Sequence, residues 1–205
     1  VEQRSVVRSA RMLKARVEAM LVSFDEVIVQ RYVDGRELNV GIVGDMVLPI
    51  AEIDFRTMPK GMWPIVTYRS KWDTGSEEDL CSIPRCPAEL GARTANEVRR
   101  VALEAWKLVG GHGYGRVDMR LDGNGQPWIL EVNANPDIAP DAGLARMAKV
   151  AGIDYATLVR TICELGIARR RELQMQPDGW ALAQQLSGMS VPASPELKLF
   201  AGGER

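Results

Sequence analysis

The chain has 205 residues, 46% of them apolar and 26% charged, the make-up of a globular protein with one large domain or one and a half small ones. A formal net charge of −1 sets up no field to draw nucleic acid or an acidic membrane, so function must rest on specific pockets. No run reaches the length of a membrane span, no signal peptide is visible, and the three cysteines (Cys81, Cys86, Cys163) lack metal-like spacing. This fits reduced thiols in a cytoplasmic protein.

Apolar residues recur at helical spacing from Ser5 to Phe24 (Val6, Ala10, Leu13, Val17, Leu21), with Ser5 as the N-cap. Val27-Ile28-Val29 reads as a short buried strand, and Asp34-Gly35 as a turn. Glu37 to Gly44 and Asp45 to Asp54 read as a hairpin, in which Leu38, Val40 and Ile42 alternate with Glu37, Asn39 and Gly41. Residues 55–87 hold four prolines (Pro59, Pro64, Pro84, Pro87) and read as a long irregular stretch with a job of its own. Leu90 to Val109 is a second helix ending at Gly110-Gly111. The glycines of Gly111-His112-Gly113-Tyr114-Gly115 follow a helix and open a strand, the reverse of a dinucleotide fingerprint, and read as a flexible turn. His112, the only histidine, has no nucleophile motif beside it.

The most informative stretch is Gly115 to Asn133. It reads as two strands joined at Asn124-Gly125. With those two as the loop, Asp118 faces Glu131 and Arg116 faces Asn133, all on one side. The other side carries Val117, Met119, Leu121, Trp128, Leu130 and Val132. Carboxylates directly opposite repel each other. Arg116 and Arg120 offset that in part, and a divalent cation suits better, since two carboxylates and an amide carbonyl are oxygen ligands for Mg²⁺. A solvated charged face is the alternative. Asn135-Pro136-Asp137 ends the second strand, Ala142 to Val150 and Tyr155 to Arg171 are helices, the latter capped by Asp154, and Trp180 to Leu186 reads as a short helix in an extension.

Two further segments are suggestive. Gln30-Arg31-Tyr32-Val33 leaves an apolar run in the way that suits recognition of a purine edge, and Glu37 can accept from ribose hydroxyls. Lys71, in a loop able to fold over a site, can neutralise phosphate oxygens.

Taken together, Val27 to Val40, Lys71, Gly115-Arg116-Val117-Asp118 and Ile129 to Pro136 resemble the ATP-grasp superfamily, most closely its D-alanine–D-alanine ligase branch. The resemblance runs from about residue 5 to residue 168. It implies an α+β fold, the ATP-grasp C-terminal domain, with an antiparallel sheet and flanking helices. It divides the chain into the end of a central subdomain (1–33), the C-terminal domain with the Mg²⁺–ATP site (34–170) and an extension or linker (171–205).

The roles it implies are these. Asp118, Glu131 and Asn133 hold two Mg²⁺ ions, with Mn²⁺ as a substitute, and Arg116 contacts the transferring phosphoryl group. Gln30 and the backbone of Arg31 and Val33 read adenine, Glu37 binds ribose, and Lys71 contacts the phosphates. Such ligases phosphorylate a carboxylate and let an amine attack the acyl phosphate, giving an amide, ADP and phosphate. The alternative is a nucleotide-binding or interaction module of this fold without catalysis. The partners implied are amino-acid-like carboxylate and amine substrates, an N-terminal domain preceding Val1 and a possible second copy of the chain.

The sequence departs from the family in three places. Gln30 stands where the family often has Glu. Asp137 occupies the position of a glycine whose amide helps stabilise the tetrahedral intermediate. Ala142 lies near a serine that holds the second substrate's carboxylate. Asp137 or Asp141 therefore offers an anion to a cationic amine substrate.

Overall fold

The computed structural model describes residues 1–175. Residues Val1–Leu165 form one compact unit, and a second begins at Gly166. The short helix expected over Trp180 to Leu186 lies outside the described residues.

The elements run α1 (Ala10–Leu21), β1 (Arg36–Val43), β2 (Met46–Val47), β3 (Ala51–Asp54), α2 (Tyr68–Trp72), α3 (Glu77–Leu80), β4 (Ile83–Arg85), α4 (Ala92–Leu108), β5 (Tyr114–Leu121), β6 (Pro127–Asn133), α5 (Gly143–Val150) and α6 (Tyr155–Met175). The strands form one antiparallel sheet in the order β4-β3-β1-β5-β6, with β2 also on β1. The α+β class and the antiparallel sheet with flanking helices match expectation.

Alternation along β1 decides the two faces. Leu38, Val40 and Ile42 are fully buried with Val117, Met119 and Leu121 of β5, under the Ala95, Val98, Ala102, Ala105 and Trp106 stripe of α4. The opposite face is split. At one end Gly41 and Val43 lie under α5, whose Leu144 and Met147 fill the space over Gly41. At the other end Glu37 and Asn39 remain for polar work. Gly115 is needed for contact with α4, because a Cβ there would stand 2.3 Å from Cζ3 of Trp106. Gly111 and Gly115 of the expected flexible turn thus make room for an indole.

Several expectations are corrected. Ser9, not Ser5, caps α1, accepting from the Met12 amide at 3.3 Å. Val27 to Val29 form no strand; Ile28 is 86% and Val29 54% exposed. Their β-branched side chains have no neighbouring strand to pair with among the described residues. The stretch 55–87 contains two short helices and strand β4. Thr67 and Ser76 start those helices by accepting from the Ser70 and Asp79 amides, the usual N-cap contact. Lys71 therefore sits on a helical turn rather than in a loop.

The hairpin differs in register. Asp122 and Gln126 close a three-residue loop, with Gly125 at φ +77°. The Asp122 carboxylate accepts from the Asn124 and Gln126 amides, both at 2.9 Å, so the side chain shapes the turn. Met119 then pairs with Ile129 and Arg120 with Trp128, one step from the expected register. A β-bulge at Leu130 restores it, so that Asp118 pairs with Glu131 and Arg116 with Asn133. Trp128 consequently shares a face with Arg120 rather than with the core, and Leu130 lines the cleft described below.

At the β3–β4 edge, buried Asp54 accepts from Arg56 at 2.8 Å and from Arg85 at 2.5 Å. Arg56, and after it Arg85, holds the Asp54 carboxyl well below the usual carboxylate range. A carboxyl that binds its proton less readily when folded stabilises the fold above its unfolded pKa, about 4, and loses that contribution as pH falls. Asp54→Asn is therefore expected to lower stability at pH 7 and flatten its decline below about pH 4. Urea midpoints measured across that range provide the check.

Candidate active site

The site is built on adjacent strands. Glu37 lies opposite Arg120, Asn39 opposite Asp118 and Gly41 opposite Arg116. Across the hairpin, Glu131 and Asn133 face Asp118 and Arg116. Residues directly opposite in an antiparallel pair share a face, so one polar surface results. Over its Glu37–Asp118 end opens a cleft of about 440 Å³. Gln30, Arg31 and Val33 line one wall, Lys71 lies at its rim, and Glu37, Asp118 and Glu131 are on its floor. Helix α1 closes the side with Leu13, Val17 and Met20. Arg116 and Asn133 do not line this cleft; they sit two pairs further along the hairpin, the next pair on this face.

Asp118 is 7% exposed and accepts three hydrogen bonds, two at Oδ1 and one at Oδ2. Arg116 grips it with two hydrogen bonds, Nε to Oδ1 at 2.6 Å and Nη2 to Oδ2 at 2.7 Å. Asn39 Nδ2 donates to the same Oδ1 at 2.8 Å. A bidentate guanidinium–carboxylate pair of this kind fixes geometry as well as charge. Glu131 has less help. Burial and then the facing Asp118 push its carboxyl up, while the charges of Lys71 and Arg116 pull it down. Glu37, at 8% exposure, is likewise pushed up by burial and by Asp118, and held down by Arg120 and Lys71.

This donor set suits a hard dication. The Asp118–Glu131 pair is under-compensated, and added positive charge would relieve Glu131. The donors are two carboxylates and an amide oxygen, which leaves positions for water and phosphate oxygens, the usual pattern for Mg²⁺. Among the described residues there is no group of three or more His, Cys, Asp or Glu that could hold a metal. The amide of Asn133 is therefore required for a third protein ligand, and its Oδ1 already accepts from the Asn135 amide at 3.0 Å.

A family model described as the D-Ala–D-Ala ligase C-terminus matches residues 4–164. The chain belongs to this family. Among curated relatives of the family, a D-alanine–D-alanine ligase from Dechloromonas aromatica is 36% identical over 159 residues, covering 78% of this chain and 49% of that protein. An uncharacterised protein, y4sG of Sinorhizobium fredii, is 28% identical over 170 residues, covering 81% of this chain and 48% of its own length. A solved D-alanine–D-alanine ligase from Bacillus anthracis, complexed with ATP, superposes with TM-score 0.65 at 25% identity, covering 81% of this chain and 50% of that one. The chain spans about half the length of the curated relatives it matches.

Past the hairpin lie the positions singled out in the sequence, Asp137, Asp141 and Ala142. Asp137 is exposed and accepts from the Ala139 amide at 2.8 Å. Asp141 is exposed, and its carbonyl accepts from Arg146. Ala142 caps α5 without a side-chain hydrogen bond.

Sequence reasoning missed two contributors. Asn39 steadies Asp118 from the neighbouring strand, a contact visible only once β1 and β5 are known to pair. Arg120, in the sequence only a charge near the carboxylates, is the centre of a buried network. Its spacing of two from Asp118 on a strand is the signal that places it on the same face.

Proposed function

We propose that this domain is the Mg²⁺–ATP-binding portion of an ATP-dependent carboxylate–amine ligase. The observation that carries this reading is the in-register Asp118–Glu131 pair on the floor of a cleft whose wall is Gln30 to Val33. Residues 1–33 are assigned to the end of a central subdomain, and residues 34–170 to the C-terminal domain.

In this reading Gln30 and the backbone of Arg31 and Val33 read the base, Glu37 accepts from ribose hydroxyls, and Lys71 reaches the phosphates from the rim. Asp118, Glu131 and Asn133 hold Mg²⁺, two ions in the full site. Bound there, Mg²⁺ neutralises the charge that builds on the phosphate oxygens during phosphoryl transfer. Arg116, on the next pair of this face beyond the cleft, contacts the phosphoryl group as it moves to a substrate carboxylate. Positioning and charge neutralisation are the main demands of such a transfer, and this surface offers both. An amine then displaces phosphate to form an amide. Asp137 or Asp141 offers an anion to a cationic amine substrate.

The test is titration of the chain with ATP and Mg²⁺ while its melting temperature is followed. Saturation to about 100 times Kd stabilises a binder by about 2.7 kcal/mol, or roughly 5–10 °C for a domain of this size. No Mg²⁺-dependent shift would refute the nucleotide reading. A shift, but no ADP release with amino-acid pairs from this chain or an upstream-extended one, would favour a non-catalytic binding module. The departures at Asp137 and Ala142 are the features that make that second reading worth testing.

A further inference from the structure

Arg120 is the most deeply buried charge in the cleft, 3% exposed, on the strand that carries Asp118. Its neighbours Met119 and Leu121 belong to the core on the other face. A lone buried guanidinium is costly unless its donors are met. Here they are met by three separate segments. Nε donates to the carbonyl of Val33 at 3.1 Å, and Nη2 donates to the Tyr32 hydroxyl at 3.2 Å. Nη1 donates to Oε2 of Glu37 at 3.2 Å and to the carbonyl of Pro64 at 2.9 Å. The guanidinium carbon also stands 5.5 Å from the Tyr32 ring centroid, within cation–π range.

We propose that Arg120 is a positioning residue for the nucleoside, locking the base-reading backbone at Val33 and the ribose-reading carboxylate of Glu37 into one arrangement. The proposal rests on the nucleotide reading above. What Arg120 leaves free supports it. It takes the Val33 carbonyl, and the Val33 amide has no hydrogen-bond partner among the described residues. It takes Oε2 of Glu37, and Oε1 has none. Each group is thus held by one atom while the other is left for a ligand. An apolar side chain would fill the same volume without desolvating a charge, so filling space does not explain an arginine here. Holding two recognition groups at a fixed separation does, because groups already in place need no ordering when ligand binds.

The Pro64 contact extends the lock to the segment that leads into α2 and Lys71. Tyr32 packs edge-on against Trp63 at 5.0 Å between centroids. Gln3 clamps Trp63 in turn, accepting from its amide at 2.6 Å and donating to its carbonyl at 3.1 Å. The Trp63–Pro64 segment thus braces the nucleoside wall through Arg120, while Lys71 is placed separately by α2, which Thr67 caps.

The experiment measures Mg²⁺-dependent affinities of the chain for ATP, 2′-deoxy-ATP, 3′-deoxy-ATP and inorganic tripolyphosphate, in wild type, Arg120→Met and Arg120→Lys. Wild type is expected to prefer ATP over at least one deoxy analogue by about tenfold, one good hydrogen bond to a charged acceptor. Arg120→Met should weaken ATP by about tenfold or more and shrink that preference to within about twofold. Tripolyphosphate affinity should stay within about twofold, since Asp118, Glu131 and Lys71 are untouched. Arg120→Lys cannot span all four acceptors; its ATP preference should fall in the same direction, and it supplies the reading if the methionine variant does not fold.

An unchanged ATP preference in a folded Arg120 variant overturns the proposal. So does a parallel loss of tripolyphosphate binding, which would mark a general structural role. Failure of wild type to bind any nucleotide would instead overturn the nucleotide reading on which the proposal stands.

Discussion

Asp118→Asn is expected to weaken Mg²⁺-dependent ATP binding by about 30- to 700-fold, the effect of removing one partner from a buried charge arrangement at about 2–4 kcal/mol. The substitution keeps the shape of the side chain and still offers Oδ1 to Arg116 and Asn39. It removes the charge that opposes Glu131 and, through space, Glu37. The metal-free variant should melt below wild type, because the new Nδ2–H₂ group faces Nη2–H of Arg116 in place of the Oδ2 acceptor. Isothermal titration with and without Mg²⁺, beside a thermal melt, separates the two effects. Equal ATP affinity in wild type and variant at saturating Mg²⁺ would remove Asp118 from the site. Binding in Mg²⁺-free buffer should be nearly the same for both proteins.

Gly35→Ala is expected to be among the most damaging substitutions away from the carboxylates. Gly35 has φ +143°, and a Cβ there would lie 2.0 Å from the carbonyl oxygen of Leu121. Neither partner can yield cheaply. The obstacle is backbone, and it belongs to the strand that carries Asp118 and Arg120. The φ value is one that residues with a side chain rarely adopt. We expect a loss of about 3 kcal/mol, seen as a drop of roughly 6–12 °C in melting temperature. Because Gly35 leads directly into β1, the variant should also misplace Glu37 and weaken ATP more than tripolyphosphate. A variant that melts within about 1 °C of wild type would show that the chain passes Leu121 differently.

The route from Asp118 to Glu131 shows how far sequence reasoning reached. A two-residue Asn124-Gly125 turn, with side-chain alternation carried back along both strands, predicts the pair. The turn is in fact three residues long, which displaces the near half of the hairpin by one step. The bulge at Leu130 then returns the carboxylates to register. Local sequence does not announce a bulge, because it forms where neighbouring strands and burial demand it. The same displacement explains why Trp128 and Leu130 left the expected core face. Val27 to Val29 form no strand for a related reason. Apolar, β-branched residues read as a strand, but a strand exists only where another offers its hydrogen bonds.

By itself the sequence determined the helices α4, α5 and α6, the alternation of β1 and β5, and the kind of chemistry the polar residues can do. These are local properties, set by periodicity, caps and side-chain functional groups. The tertiary structure alone decided that β1 lies beside β5. That placed Asn39 on Asp118 and Arg120 between Glu37, Val33 and Pro64, contacts spanning 56 to 87 residues of chain. It also decided that α5 covers Gly41 while leaving Glu37 open, and so where the cleft is. Contacts between distant segments depend on which surfaces bury best together, and no window of the sequence contains that information.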